Sequence, residues 1–543
     1  MASADWRQLE EGTYDLLVIG GGINGAGLAR DAAERGLRVA LVERSDFSSG
    51  TSSRSSRLVH GGIRYLEQAD FRLVHEACRE RRLLLDLAPH LVRPLPFLLP
   101  IYEGDARGPM WIRLGMWLYD LMAAFRNTKR HQMLSTREVL EREPDLLADG
   151  LRAGALYYDA KMDDARLCLL TFRAAAHAGA HLVNFASARE ILVENGRASG
   201  ALVQPAGGGE PVTVRARVVV STCGPWAGLM PELEPSGEPP RLRPTKGVHL
   251  LVPALTRHSG IVLSARRDGR VYFVIPHGDL SIVGTTDTDY SGPPDAVDID
   301  AADARYLLEE TRRVLPGARL EPSDVVATYA GVRPLLDQRG VGPSGVSREH
   351  QILETSTGAL ILVGGKYTTF RAVCAELTER VFRSLGQKAP SGKTAREAIP
   401  GGDVSDFPRW RSGVVAKWTE ELGIGRRAAE RIIDGHGTLA QEHEELIRRE
   451  PAAREPLGPD DGALLGVEVA HAVRFEWCQR LVDLFRTRTS RLFDPGSGQG
   501  EWEGAADWMA RELGWGAERR SRELQALRAE RDRMFDWRDS SSG

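Results

Sequence analysis

The chain has 543 residues, 42% of them hydrophobic and 27% charged, and 71 basic against 75 acidic side chains leave a net charge of -4. Such a length favours two or three domains, and such a balance gives no bulk attraction to nucleic acid. The five cysteines are scattered without a CxxC pair, no basic patch and apolar run open the chain, and no stretch nears the roughly 20 apolar residues of a membrane span.

In chain order, Tyr14–Gly20 reads as a buried parallel strand, Asn24–Arg35 as a helix stopped by Gly36, and Arg38–Glu43 as a second strand. That unit opens a doubly wound sheet. Ser45–Ser56 is a loop rich in Ser, Gly and Thr, and Phe71–Leu87 returns to helical spacing. Pro109–Arg130 is a further helix, with Trp111, Leu114, Leu118, Met122 and Phe125 along one face. Arg189–Val220 breaks into short strands, and Ile261–Ser264, Val271–Ile275 and Ser281–Gly284 form an antiparallel passage. Leu360–Val363, the Gly364–Gly365 turn and a helix over Thr369–Arg383 return to the first domain. From about Lys393 the chain is mostly polar helix, including Glu468–Arg486 and part of Glu518–Arg538, with breaks at Gly401–Gly402 and Gly496–Glu503.

The expected architecture is α/β. A Rossmann-like domain takes residues 12–75, 181–224 and 346–390, with mixed cap and first-domain elements in 76–180. An antiparallel-sheet substrate domain takes 225–345, and a helical C-terminal domain with a charged tail takes 391–543.

The sharpest local signal is Gly20-Gly21-Gly22-Ile23-Asn24-Gly25, a G-x-G-x-x-G run that leaves a strand and opens a helix. Gly20 permits the turn, Gly22 leaves room for a pyrophosphate, and Gly25 allows close helix–strand packing. The helix start offers amides and positive dipole to phosphate, while Glu43 ends the second strand where a ribose diol is bound. These features identify a dinucleotide without choosing between FAD and NAD.

Further segments carry a resemblance: Thr51-Ser52-Ser53-Arg54-Ser55-Ser56, His60-Gly61-Gly62-Ile63-Arg64-Tyr65-Leu66-Glu67, Lys246-Gly247-Val248-His249, and Gly284-Thr285-Thr286-Asp287-Thr288-Asp289. Tyr329-Ala330-Gly331-Val332-Arg333-Pro334-Leu335 and Gly364-Gly365-Lys366-Tyr367-Thr368-Thr369-Phe370-Arg371 complete the set. With the glycine turn, in this order, they resemble the FAD-dependent, quinone-linked glycerol-3-phosphate dehydrogenases, within the glycine/D-amino-acid-oxidase-like flavoproteins. The resemblance covers roughly Tyr14–Leu492, and only Val248 departs, standing where relatives often carry Ser.

The resemblance implies FAD as cofactor, held by Gly20, Gly22, Asn24, Gly25 and Glu43. It adds Thr51, Ser52, Ser53 and Ser56 from the serine loop, His60 and Gly61 beside it, and Gly224. Gly365, Lys366, Thr368 and Thr369 come from the returning turn. The implied reaction oxidises sn-glycerol 3-phosphate to dihydroxyacetone phosphate by hydride transfer from C2 to FAD N5, with electrons passing to a membrane quinone.

Arg suits a phosphate dianion because its planar fork matches the oxygens and stays charged. Arg64, Tyr65, Arg333, Arg348 and Lys366 are the implied substrate-binding residues. His249 is the candidate base, with Arg333 and Lys366 as supports for developing alkoxide charge. Asp287 and Asp289 read as a turn or domain-contact feature that organises the substrate wall, with catalytic participation the lesser alternative; no metal-ligand set surrounds them, and the reaction needs no metal. Two alternatives stand beside this reading, an oxygen-reducing glycerol-3-phosphate oxidase and an inactive flavin-binding regulatory or assembly protein.

For location, the implication is a cytoplasmic protein, peripheral on the cytoplasmic face of the membrane. The apolar face of 109–130, with Arg107, Arg113, Arg126, Lys129 and Arg130, suits either an anionic membrane surface or an internal cap packing. A homo-oligomer stays open.

Overall fold

The computed structural model describes residues 6–62, 70–122, 129–229, 242–336, 349–460 and 462–538. The main path of its first sheet is ordered 350–354, 360–364, 212–221, 13–19, 39–43, 181–184; the last five of these strands are parallel and His350–Glu354 runs against them. Leu16, Leu17 and Val18 on the central strand Thr13–Ile19 are fully buried. Burial on both faces explains why such strands read as continuous apolar runs. The hairpin Ala186–Glu194 and Arg197–Pro205 extends this sheet from the edge of Val212–Ser221.

The helix Ile23–Glu34 packs almost wholly inside, and its small residues make that possible. A Cβ on Gly27 would sit 2.8 Å from Cys374 Sγ and 2.9 Å from the Phe370 ring, on the returning helix Phe370–Ser384. The first and last segments of this domain are thereby locked together across more than 300 residues of chain.

The second sheet has ten strands. Leu242–Pro253 lies between Ala327–Leu336, which pairs with it over ten residues, and Leu280–Gly284. Gly260–Ser264, Val271–His277 and Leu280–Gly284 form the antiparallel meander expected from their turns. Two long strands from earlier in the chain, Val92–Tyr102 and Leu151–Met162, pair with each other and join the meander through a parallel contact with Gly260–Ser264. The helix Ala301–Val314 covers one face, burying Ala304, Leu307 and Leu308 against Val248, Leu250 and Val252.

Helices Phe407–Glu421, Arg426–His436, Ala440–Arg449, Gly466–Phe475, Trp502–Leu513 and Ala517–Arg533 make the C-terminal region. Trp418, Ile432, Ile433 and Ile447 form part of its core. Two expectations need correction. The helix read over Glu468–Arg486 ends at Phe475, and Trp477 adopts a left-handed φ of 54°. The chain leaves the helix so that Glu476 meets Arg166 in a two-pronged ion pair at 2.7 Å and Arg488 meets Asp46, both on the first domain. The helix read over Pro109–Arg130 runs Pro109–Met122; Phe125 and Arg126 lie outside the described residues, and Lys129 and Arg130 are not helical.

Candidate active site

A cavity of about 500 Å³ runs between the two sheets. Its lining passes from Ser187 and Glu43, along the glycine turn, to His249, Arg333 and Lys366.

At the first end the backbone defines the shape. Gly20 has φ 111°, a conformation that a side chain disfavours, and a Cβ there would meet the Thr222 carbonyl at 2.9 Å. On Gly25 a Cβ would fall 2.0 Å from the Gly20 oxygen, so the turn closes only around glycine. Ser52 Oγ accepts a hydrogen bond from the Ile23 amide at 2.9 Å, tying the serine loop to the helix start. Glu43 accepts from the amides of Gly21 at 2.6 Å and Ser45 at 2.8 Å. Burial pushes its carboxyl up while those two amides pull it back. Glu43 lines the cavity and each of its oxygens keeps a second lone pair, so it braces the turn and still offers acceptor capacity. Thr51 spends its hydroxyl on the Val332 carbonyl at 2.8 Å, fastening the loop to the second sheet.

At the other end side chains converge. Arg333 projects from Ala327–Leu336, with Nη2 donating to Thr285 Oγ1 at 2.9 Å and Nη1 to Asp287 Oδ1 at 3.1 Å and the Thr286 carbonyl at 3.3 Å. Gly247 makes room for it, because a Cβ there would lie 2.6 Å from Nη2. Lys366 reaches the same cavity from the turn after Leu360–Gly364 on the first sheet. The Lys246 ammonium is pinned elsewhere, by Asp300 at 2.8 Å and Asp303 at 2.5 Å.

His249 is 2% exposed. Its Nε2 is hydrogen-bonded to Ser56 Oγ at 2.8 Å, and its ring stacks on Tyr329 at 4.7 Å. Burial, reinforced by the charges of Arg333 and Arg57, pushes its pKa down to about 3. The imidazole is therefore neutral at physiological pH and holds an acceptor lone pair.

Among the sequence candidates, Gly20, Gly22, Asn24, Glu43, Thr51, Ser52, Ser56, His60, Gly224, His249, Arg333, Gly365, Lys366 and Thr368 all line this one cavity. Gly25, Ser53, Gly61 and Thr369 stand behind its wall. Gly61 is packed so that a Cβ would collide with Tyr119 Oη at 2.2 Å, and Thr369 caps the turn onto the Lys366 carbonyl. Arg64, Tyr65 and Arg348 lie outside the described residues. Asp287 and Asp289 part company: Asp287 orients Arg333, whereas Asp289 pairs with Arg243 at the surface. Sequence reasoning named no role in the cavity for Thr285 or Arg54, whereas it read Asp287 as a feature organising the substrate wall. All three sat inside quoted motifs, but only folding sets Thr285 and Asp287 against Arg333.

Outside the cavity, Pro109–Met122 buries Met116 and Tyr119 and exposes Met110, Trp111, Leu114, Trp117 and Leu121. Trp111 is 66% exposed and Leu121 60%. The apolar residues thus divide between one packed and one open face. No described helix is long and apolar enough to cross a membrane.

The fold and cavity define an FAD dependent oxidoreductase: a family model of that description matches residues 15–378, and one for the C-terminal domain of alpha-glycerophosphate oxidase matches residues 392–520. The chain is 33% identical to the aerobic glycerol-3-phosphate dehydrogenase of Bacillus subtilis, over 89% of this chain and 88% of that one. It is 34% identical to a glycerol-3-phosphate dehydrogenase of Synechocystis, over 96% and 97%. The crystal structure of the glycerol-3-phosphate dehydrogenase from Bacillus halodurans complexed with FAD superposes with a TM-score of 0.81 at 28% identity, covering 99% of both chains. The chain belongs to the FAD-dependent, aerobic glycerol-3-phosphate dehydrogenase family.

Proposed function

We propose that this protein oxidises sn-glycerol 3-phosphate at C2 to dihydroxyacetone phosphate and delivers the electrons to a membrane quinone. The observation that carries the reading is one cavity joining the glycine-lined turn to the Arg333, Lys366 and His249 cluster. The turn fits FAD because Gly20 and Gly25 leave no space for a Cβ and Gly22 leaves the approach to the helix start clear. Gly20, Gly22, Asn24 and Glu43 would hold the adenosine diphosphate portion, with Ser52 and Thr368 on the same wall. When bound, FAD supplies the hydride acceptor at N5.

The residues supply the rest. Arg333 and Lys366, from opposite sheets, hold the substrate's anionic groups and offset negative charge growing on O2. Asp287 and Thr285 fix the guanidinium, so little side-chain freedom is lost on binding. Neutral His249 accepts the O2 proton, with Ser56 setting its ring orientation. Burial disfavours the resulting imidazolium, which speeds return of that proton to solvent.

Anaerobic mixing of the flavin-bound enzyme with glycerol 3-phosphate tests this directly. Bleaching of oxidised-flavin absorbance is expected, with glycerol, lactate and an amino acid inert. Fully bound flavin that stays oxidised, or that one of those controls reduces faster, overturns the reading. Efficient peroxide production in air would move the assignment to the oxygen-reducing oxidase.

The open face of Pro109–Met122 supports docking on the cytoplasmic face of an anionic membrane, where a quinone is within reach. Sedimentation with anionic vesicles should carry the enzyme down, and Trp111→Asp with Leu114→Asp should leave it in solution. Equal sedimentation of both would remove this part.

A further inference from the structure

We propose that His436, His443 and His471 form a binding site for a divalent cation of the zinc type, placed where the helical C-terminal region is fastened to the nucleotide-binding domain. Spacing along the chain points to no such site, because the three residues come from three helices, Arg426–His436, Ala440–Arg449 and Gly466–Phe475. Folding brings one ring nitrogen of each within 4.8 Å of the others. All three side chains are buried, His443 completely.

The hydrogen bonds set the tautomers. His436 Nδ1 lies 2.9 Å from the Ile432 carbonyl, which only accepts, so Nδ1 carries the proton. Nε2 is then a bare lone pair, yet it faces Glu476 Oε1 at 3.3 Å. His471 repeats the pattern. Its Nε2 donates to Glu442 Oε2 at 2.7 Å, which leaves Nδ1 bare, and Nδ1 faces the same Glu476 oxygen at 3.7 Å. Arg166 holds Glu476 ionised through its two-pronged pair. With neutral rings, two nitrogen lone pairs and one carboxylate therefore converge. His443 adds two ring nitrogens that have no hydrogen-bond partner among the described residues. An unpartnered buried polar group is unfavourable.

These donors converge on one point between three helices. A cation satisfies them well. Zinc holds imidazole nitrogens at about 2.0–2.1 Å, which sets neighbouring ligands about 3.3 Å apart. The His436–Glu476 separation already has that value, and closure requires His443 to swing off its 3.9 Å stack on His471. Nitrogen-rich, neutral donors favour zinc and its neighbours over magnesium or calcium. The outer hydrogen bonds, to a carbonyl and to a carboxylate, are those that orient ligating histidines. Glu476 and Glu442 pair in turn with Arg166 and Arg173, both on the helix Asp164–His177 of the first domain. The site would therefore clamp two domains, away from the redox cavity, and it stands whether or not the proposed substrate is correct.

The test uses flavin-bound full-length enzyme without a histidine tag, stripped with a chelator and titrated with Co²⁺. One equivalent should bind with the intense visible bands of tetrahedral ligation, be displaced by Zn²⁺, and raise the melting temperature. His443→Gln and His471→Gln should each abolish the bands while keeping flavin. Enzyme that takes up no Co²⁺, gives only weak octahedral bands, or binds equally after His443→Gln overturns the proposal. If the variants do not fold, the wild-type stoichiometry and band intensity decide it alone.

Discussion

The two ends of the cavity are made of different material. At the nucleotide end the wall is backbone, and Gly20, Gly22 and Gly25 contribute by lacking a side chain. At the proposed substrate end the wall is side chain: Ser56, His249, Arg333 and Lys366 arrive from four separate stretches and two sheets. A backbone site fails when one atom is added, whereas a side-chain site loses function in steps as groups are removed.

Gly25→Ala is the harshest probe of that contrast. Its Cβ would lie 2.0 Å from the Gly20 oxygen, so the variant should lose at least about 3 kcal/mol of stability. Flavin absorbance per protein after gel filtration should fall by about tenfold or more, and an alanine variant that keeps its flavin would break the comparison.

The cavity wall also carries a group that titrates. Burial holds His249 there down to about 3, as it does His277 and His90 away from that wall. Below pH ~6.5 the unfolded chain takes up protons that these folded residues refuse. Stability should therefore fall as pH drops from ~6.5 towards the folded values, by about 1.4 kcal/mol per pH unit for each histidine. Melts of the holoenzyme at pH 7 and 5.5 measure this; a flat response would contradict the burial assignment.

Ser56→Ala should be milder. It removes one hydrogen bond to His249, worth about 0.5–1.5 kcal/mol, or up to about tenfold in kcat/KM, with flavin content unchanged. The smallest expected effect is none: kcat/KM should show no acid limb in the ordinary imidazole range near 6.5. A limb there that vanishes in His249→Asn would show that His249 is not held neutral.

The same contrast explains what was legible in the amino-acid sequence. The glycine turn, its flanking strand and helix, Glu43, and the return at Gly364–Thr369 were legible because each is local and each glycine has a steric reason. Arg333 and His249 were legible as motif members, but Asp287 on Arg333 and Ser56 on His249 depend on strand register and loop placement. Strands Val92–Tyr102 and Leu151–Met162 gave no sign of their sheet, since alternation does not name a partner. The end of the helix at Phe475 was hidden for a related reason: apolar spacing continues past it, and the break is set by Glu476 and Arg488 reaching another domain. The histidine trio was invisible along the chain because its members meet only when three helices pack.

The most direct measurement of the two-material account is single-turnover flavin reduction in Arg333→Ala. The variant should bind flavin as the wild type does, while its anaerobic reduction rate at subsaturating glycerol 3-phosphate falls by about 10²–10³-fold. Loss of flavin with substrate preference intact, or full flavin with an unchanged reduction rate, would contradict the account.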